Sequence, residues 1–151
     1  MTKPFILVVE GDPRMRDRYQ DVFRGYENKF DYHAVPSAGA AEWFLQRKPA
    51  DLVVLSSTPL GIAGMDLLWQ LRNAQATKNV PVIFVSTKED LEEKIRALRA
   101  GADLYQTTSF NAGVFIAQIE RLLDRRPIER RFSGLANAFL LLGHLLNRVV
   151  G

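Results

Sequence analysis

Short, almost unbroken apolar runs alternate along this chain with stretches in which apolar residues return every third or fourth position. Phe5–Val9 (FILVV), Leu52–Leu55 running into Ser56, and Val80–Ser86 (VPVIFVS) carry no alternating polar positions. A strand covered on both faces has that pattern, and parallel α/β sheets are built from such strands. Between the runs, Met15, Tyr19, Val22 and Phe23 predict a first helix, opened by Asp12 as N-cap and Pro13 in the first turn. Phe30–Val35 reads as a weaker second strand, and Ser37 caps a helix through Gln46 built on Ala40, Ala41, Phe44 and Leu45. The Asp51–Ser56 strand turns through Pro59, Gly61 and Gly64 into a helix on Met65, Leu68 and Leu71, ending near Ala74. Pro81 suits only the first positions of the fourth strand. Thr87–Arg99 predicts a charged helix with Leu91, Ile95 and Leu98 turned inward, stopped by Gly101. Ala102–Gln106 gives a short, polar fifth strand, and Asn111–Asp124 a fifth helix on Val114, Phe115, Ala117, Ile119, Leu122 and Leu123. Right-handed crossovers would put these helices on both faces of a doubly wound (βα)5 parallel sheet.

Pro127 interrupts the alternation, and a sixth helix is expected from about Arg131 to Val150. Phe132, Leu135, Phe139, Leu142, Leu146 and Val149 recur at spacings of 3 and 4, a heptad seam. The five-strand unit is already closed, so this helix either packs back on the domain or meets a partner. The division expected is residues 1–125 as one domain and 126–151 as a basic linker with an amphipathic C-terminal helix.

Composition narrows the possibilities. The chain has 151 residues, 47% apolar and 25% charged, with a net charge of +3, which suits one soluble domain. There is no cysteine, hence no disulfide framework and no thiolate metal site. No stretch approaches the roughly 18 apolar residues of a membrane span, and the N-terminal apolar run is too short for a secretory signal. A cytoplasmic protein is expected. Arg125, Arg126, Arg130 and Arg131 crowd one segment. They could touch phosphate, nucleic acid or anionic lipid, although a solvated linker is the commoner use of such a run.

In such folds ligands bind outside the carboxyl ends of the strands, which here places Ser56 at the mouth of the site. The segments that meet there, ILVVEGDP, DLVVLS, VPVIFVST and GADLYQTTSF, together resemble the response-regulator receiver (CheY-like) family. ILVVEGDP resembles the acidic-pair motif after the first strand, and DLVVLS, with Gly64 eight residues beyond Ser56, resembles the phospho-acceptor segment. VPVIFVST supplies the switch hydroxyl at Ser86, and GADLYQTTSF resembles the family's GADDYLTKPF, with Tyr105 as switch aromatic. The gaps of 30 residues from Ser56 to Ser86 and 22 from Ser86 to Thr108 fit without insertion. The resemblance covers about residues 4–125 and implies a CheY-like (flavodoxin-like) fold.

It also implies a chemistry whose parts are missing. The family uses an Asp as phosphoryl acceptor, two acids that hold Mg²⁺ and a Lys that neutralises the phosphoryl oxygens. Phosphoryl transfer depends on positioning and charge stabilisation, and Mg²⁺ takes carboxylate and phosphate oxygens. Here Ser56 stands at the acceptor position, Thr108 at the Lys position and Gly11 at the second acidic position, leaving Glu10 with Asp12 nearby. The expectation is a degenerate pseudo-receiver pocket made of Glu10, Gly11, Asp12, Ser56, Ser86 and Thr108. Ser109 follows Thr108 where the family has a proline, so that bond is expected to be trans.

Each of these residues also has a plainer use. Asp12 can be only a helix cap, and Ser86 and Tyr105 only fixed packing. Ser56 as a nucleophile would need a base, and neither His33 nor His144 is expected near it. The sequence therefore points to a non-enzymatic, phosphorylation-independent interaction and dimerisation module, with no cofactor, no metal and no small-molecule substrate. Its partner would be a second copy or another signalling protein. The other reading is an N-terminal regulatory domain of a longer protein with a catalytic or DNA-binding output domain.

Overall fold

The computed structural model describes residues 3–59 and 61–125. Within them the elements alternate as β1 (Phe5–Val9), α1 (Pro13–Phe23), β2 (Asp31–Val35), α2 (Ala38–Arg47), β3 (Leu52–Ser56), α3 (Gly64–Asn73), β4 (Val82–Ser86), α4 (Leu91–Arg99), β5 (Leu104–Thr107) and α5 (Ala112–Leu123). The five strands form one parallel sheet in the order β2-β1-β3-β4-β5. This is the doubly wound fold expected. The Phe132–Val149 helix, with Arg126, Arg130 and Arg131, lies outside the described residues.

Strand side chains alternate between the sheet's two faces, which explains the unbroken apolar runs. Leu7 and Val9 of β1, Val53 and Leu55 of β3, and Val82 and Phe84 of β4 join one core with Ala41, Leu67, Leu68, Leu71 and Ala97 from α2, α3 and α4. Ile6, Val8, Leu52, Val54, Ile83 and Val85 join the other, with Tyr19, Phe23, Phe115 and Ile119 from α1 and α5. Every residue of β1, β3 and β4 is buried, whereas β2 and β5, at the edges, are only partly so.

Side-chain caps set the helix starts. Asp12 accepts from the Arg14 N–H, Ser37 from Ala40 N–H, Asp90 from Glu92 and Glu93 N–H, and Asn111 from Val114 N–H. Gly101 ends α4 at φ 111°, a left-handed conformation that favours glycine.

Expectations for three elements need correction. α4 begins at Leu91, not Thr87, because Asp90 provides the cap. Its Leu91, Ile95 and Leu98 are 71%, 39% and 43% exposed and point outward, while Ala97 is the buried residue of the helix. β5 spans Leu104–Thr107, not Ala102–Gln106, because the Asp103 carboxylate accepts the Val82 N–H at 2.8 Å ahead of the ladder. On α5, Val114 and Ala117 are exposed and Ile116 is buried in their place.

Arg72 fastens the amino-terminal end of the sheet. Its Nε and Nη2 donate to Gly101 O at 2.9 and 2.7 Å, and Nη1 donates to Val80 O at 2.6 Å. Nη2 also reaches Asp103 Oδ2 at 3.1 Å. One side chain thus joins α3, the approach to β4 and the turn into β5.

Candidate functional site

The carboxyl ends of β1, β3, β4 and β5 bring Glu10, Ser56, Ser86 and Thr108 to one edge of the sheet, as their sequence positions imply. Glu10 continues β1, its N–H donating to Val35 O at 2.9 Å. Its side chain is 2% exposed and accepts the Asp12 N–H at 3.1 Å. Burial pushes the Glu10 carboxyl above its ordinary range, while hydrogen bonds from the Asp12 N–H and the Ser56 hydroxyl pull it back. Asp12 itself is exposed and caps α1.

Ser56 closes β3 at 3% exposure, and its Oγ accepts the Thr58 N–H at 3.1 Å. With its oxygen accepting the Thr58 N–H and its proton toward Glu10, the hydroxyl already has a partner on each side. His33 does not approach it, being on β2 and stacked on Phe44 at 4.3 Å.

Ser86 ends β4, buried, with its Oγ accepting the Lys88 N–H at 3.4 Å. Tyr105 stacks on Phe84 at 6.0 Å, and its hydroxyl lies 2.8 Å from Glu93 Oε1 and 3.0 Å from Lys88 O. Burial raises the Tyr105 phenol, Glu93 adds to the rise, and a hydrogen bond with Ser86 opposes it. Ser86 and Tyr105 are thus both tied to Lys88, one through its N–H and the other through its carbonyl oxygen.

Two arginines of α1, which sequence reasoning left aside, hold the loops of this edge. Arg16 Nη1 donates to Glu10 O at 2.9 Å and Gly11 O at 3.1 Å. Arg18 donates to Thr108 O and, through Nη2 at 2.6 Å, to Phe110 O, with its guanidinium 4.1 Å over the Phe110 ring. Thr108 N donates to Ser86 O at 2.9 Å. The β5–α5 turn is therefore held from both sides, and the Thr108–Ser109 bond is trans, as expected. The positive charge nearest to hand in sequence thus goes to carbonyl oxygens, not to Ser56. Beside this clamp, Tyr19 is fully buried against Phe110 and Phe115, and its hydroxyl has no hydrogen-bond partner among the described residues. The only sign of these roles in the sequence was the run of Arg14, Arg16 and Arg18 in a helix beginning at the site.

Among the described residues, no three His, Asp or Glu side chains gather as a metal-binding group, and no helix is long and apolar enough to cross a membrane. Of the basic cluster only Arg125 is described, and it is exposed. A groove of about 540 Å³ lies elsewhere, between α2 and α3.

The sequence model of the response regulator receiver domain matches residues 6–120. Sensory transduction protein RegX3 of Mycobacterium tuberculosis is 32% identical over 120 residues, which cover 80% of this chain and 51% of that protein. Phosphate regulon transcriptional regulatory protein PhoB of Rhizobium meliloti is 28% identical over 128 residues, covering 83% and 55%. The chain spans about half the length of these relatives. Among solved structures, the Francisella response regulator 1452 receiver domain matches with TM-score 0.71 and 27% identity, over 82% of this chain and 98% of that one. A CheY-like receiver domain protein from Methanospirillum hungatei matches in fold, with TM-score 0.73 and 20% identity, over 82% and 96%.

Proposed function

Because this chain belongs to the response regulator receiver domain family, we propose that it is a receiver in two-component signalling that works by binding proteins and not by accepting a phosphoryl group. The carrying observation is the make-up of the pocket. Ser56 stands at the end of β3 with its hydroxyl already hydrogen-bonded, Thr108 stands where a cation would be needed, and Gly11 where a second acid would be. Glu10 alone remains of the carboxylates inside, and burial favours its neutral form. A serine phosphate would be a stable ester, not a labile acyl phosphate, and the uncharged Thr108 offers its oxygens no cation. Arg16 and Arg18 are committed to main-chain carbonyls.

Residues 1–125 form the pseudo-receiver and 126–151 a basic linker with an interaction helix. The contact surfaces are the outward side of α4, with neighbouring β5 and α5, and the Phe132–Val149 seam. The partner is a second copy or another signalling protein, and no reaction or small-molecule substrate is assigned. Arg125 and the arginines after it serve as linker.

Acetyl phosphate with Mg²⁺, and a beryllofluoride mimic, test the reading by intact mass and NMR titration. The expected result is an unmodified chain without shift changes at Ser56. A stoichiometric adduct at Ser56, or shifts centred there, overturns it.

A second reading is favoured by the length of the relatives: the chain as N-terminal input domain of a longer protein with a catalytic or DNA-binding output domain. The length of the natural gene product decides between them.

A further inference from the structure

α2 and α3 cover the same face of the sheet, yet a groove stays open between them. Several of the residues that border it are short: Ala38 and Gly39 on α2, and Ala74 and Ala76 where α3 ends. A Cβ at Gly39 would have no atom within 4 Å. Both helices are fastened elsewhere. Phe44 holds α2 by stacking on Phe5 at 6.1 Å and on His33 at 4.3 Å, while Arg72 ties α3 to Gly101 and Val80. The space left is about 540 Å³, within the roughly 300–1,000 Å³ of sites that hold small organic molecules.

The groove has an apolar floor and a polar rim. Leu45, Ile62, Leu67 and Leu71 belong to the floor, packed on the core beneath. Glu42 and Gln46, one helical turn apart on α2, border it from one side, and Gln70 of α3 from the other. Among the described residues, no lysine, arginine or histidine lines the groove, and the Glu42 carboxylate has no ion pair. The charge that would complement this rim is a cation.

We propose that the groove is a binding site for an amphiphilic amine, with its apolar body on the leucine floor and its ammonium group at Glu42. The side-chain carbonyl oxygens of Gln46 and Gln70 are further acceptors for the ammonium hydrogens. From Ala38 to Gln46 the site follows eight steps of helix, about 12 Å, which suits an elongated body. Ala38 begins α2 and Ile62 lies in the turn from β3 to α3, so an occupant touches the segments that follow β2 and β3. The inference goes beyond the protein-binding reading and holds whether or not Ser56 can take a phosphoryl group.

Octylamine, 1-octanol and octanoate share one body and differ in the charge of the head. Titrated into the whole chain at neutral pH and followed by amide NMR shifts, they separate the floor from the rim. Octylamine should saturate one site, with shifts centred on residues 38–46 and 67–77. Octanol should bind more weakly, and octanoate most weakly. Glu42→Gln should cut the preference for octylamine over octanol by up to about fivefold and leave octanol binding unchanged. Gly39→Leu, which fills the open space, should abolish both, with folding checked by circular dichroism. Equal binding of the three, or shifts centred on the exposed Leu91, Ile95 and Leu98 of α4, would mean general adsorption and overturn the proposal. A preference unchanged in Glu42→Gln overturns it too. Groove signals that sharpen on dilution would give the groove to a second copy, and nuclear Overhauser contacts from elsewhere in the free chain would show it already filled; either result overturns the site.

Discussion

Gly64→Ala should be among the most damaging small substitutions in this domain. Gly64 opens α3 against the end of β3, and its N–H donates to Ser57 O at 3.1 Å. A methyl group there would lie 2.2 Å from Ser56 O, 2.8 Å from Ser57 Cα and 3.0 Å from the Ser57 carbonyl carbon. All three are main-chain atoms, and Ser57 is itself tied to β4 through Val85 O at 2.9 Å. Non-bonded carbons rest at about 3.5–4.0 Å, so α3 must back away by roughly 1 Å. That movement lifts Leu67 and Leu68 from the core they share with Leu55. Overpacking typically costs about 1–3 kcal/mol, and with main chain on the receiving side the upper end, about 3 kcal/mol, is expected. For a chain of this size that lowers Tm by about 6–12 °C. Gly39→Ala is the matched control: it lies in α2, has no atom within 4 Å of the added carbon, and should stabilise by up to about 1 kcal/mol. Urea unfolding followed by circular dichroism reads both. If Gly64→Ala stays within about 0.5 kcal/mol of the parent, the contact between α3 and β3 yields freely and does not fix the site.

Ser56→Asp alone should leave the protein inert to acetyl phosphate, because Thr108 supplies no charge to phosphoryl oxygens; rapid labelling in a mass assay would show that inference to be wrong. Burial raises the Glu10 carboxyl above its usual 4.5, so above that pH the folded state holds more protons than the unfolded and stability declines as pH rises. Glu10→Gln should therefore match the parent well below pH 4.5 and exceed it at neutral pH, and parallel urea-stability profiles for the two would refute the assignment. Tyr19→Phe removes a buried hydroxyl without a partner, which should hold or raise stability by about 1 kcal/mol; a comparable loss in the thermal midpoint would mean that the hydroxyl is hydrogen-bonded in solution.

The three central strands were readable because burial on both faces leaves no room for polar residues, and their ends then located Glu10, Ser56 and Ser86. Helix faces were less readable. Periodicity shows that α4 has an apolar side but not what covers it, and here the sheet takes the side of Ala97, a small residue that lets the helix sit close. Val114 misled for the same reason, since α5 turns Ile116 inward beside the expected Phe115. The Arg16 and Arg18 clamps were illegible because a guanidinium that binds main-chain carbonyls needs no particular residue type opposite it. Asp103 displaced the start of β5 by a side-chain bond that no strand propensity encodes.

For drift through sequence space, Arg72 and Gly101 are one locus in two places. Any side chain at position 101 would come within 2.8 Å of Arg72 Nε and would have to adopt φ 111° as well. Lysine at position 72 would bring one compact charge where a planar fork now addresses Gly101 and Val80 together. A side chain at 101 would therefore press on the same arginine that a change at 72 would weaken. Substitutions at the two sites should accordingly be non-additive.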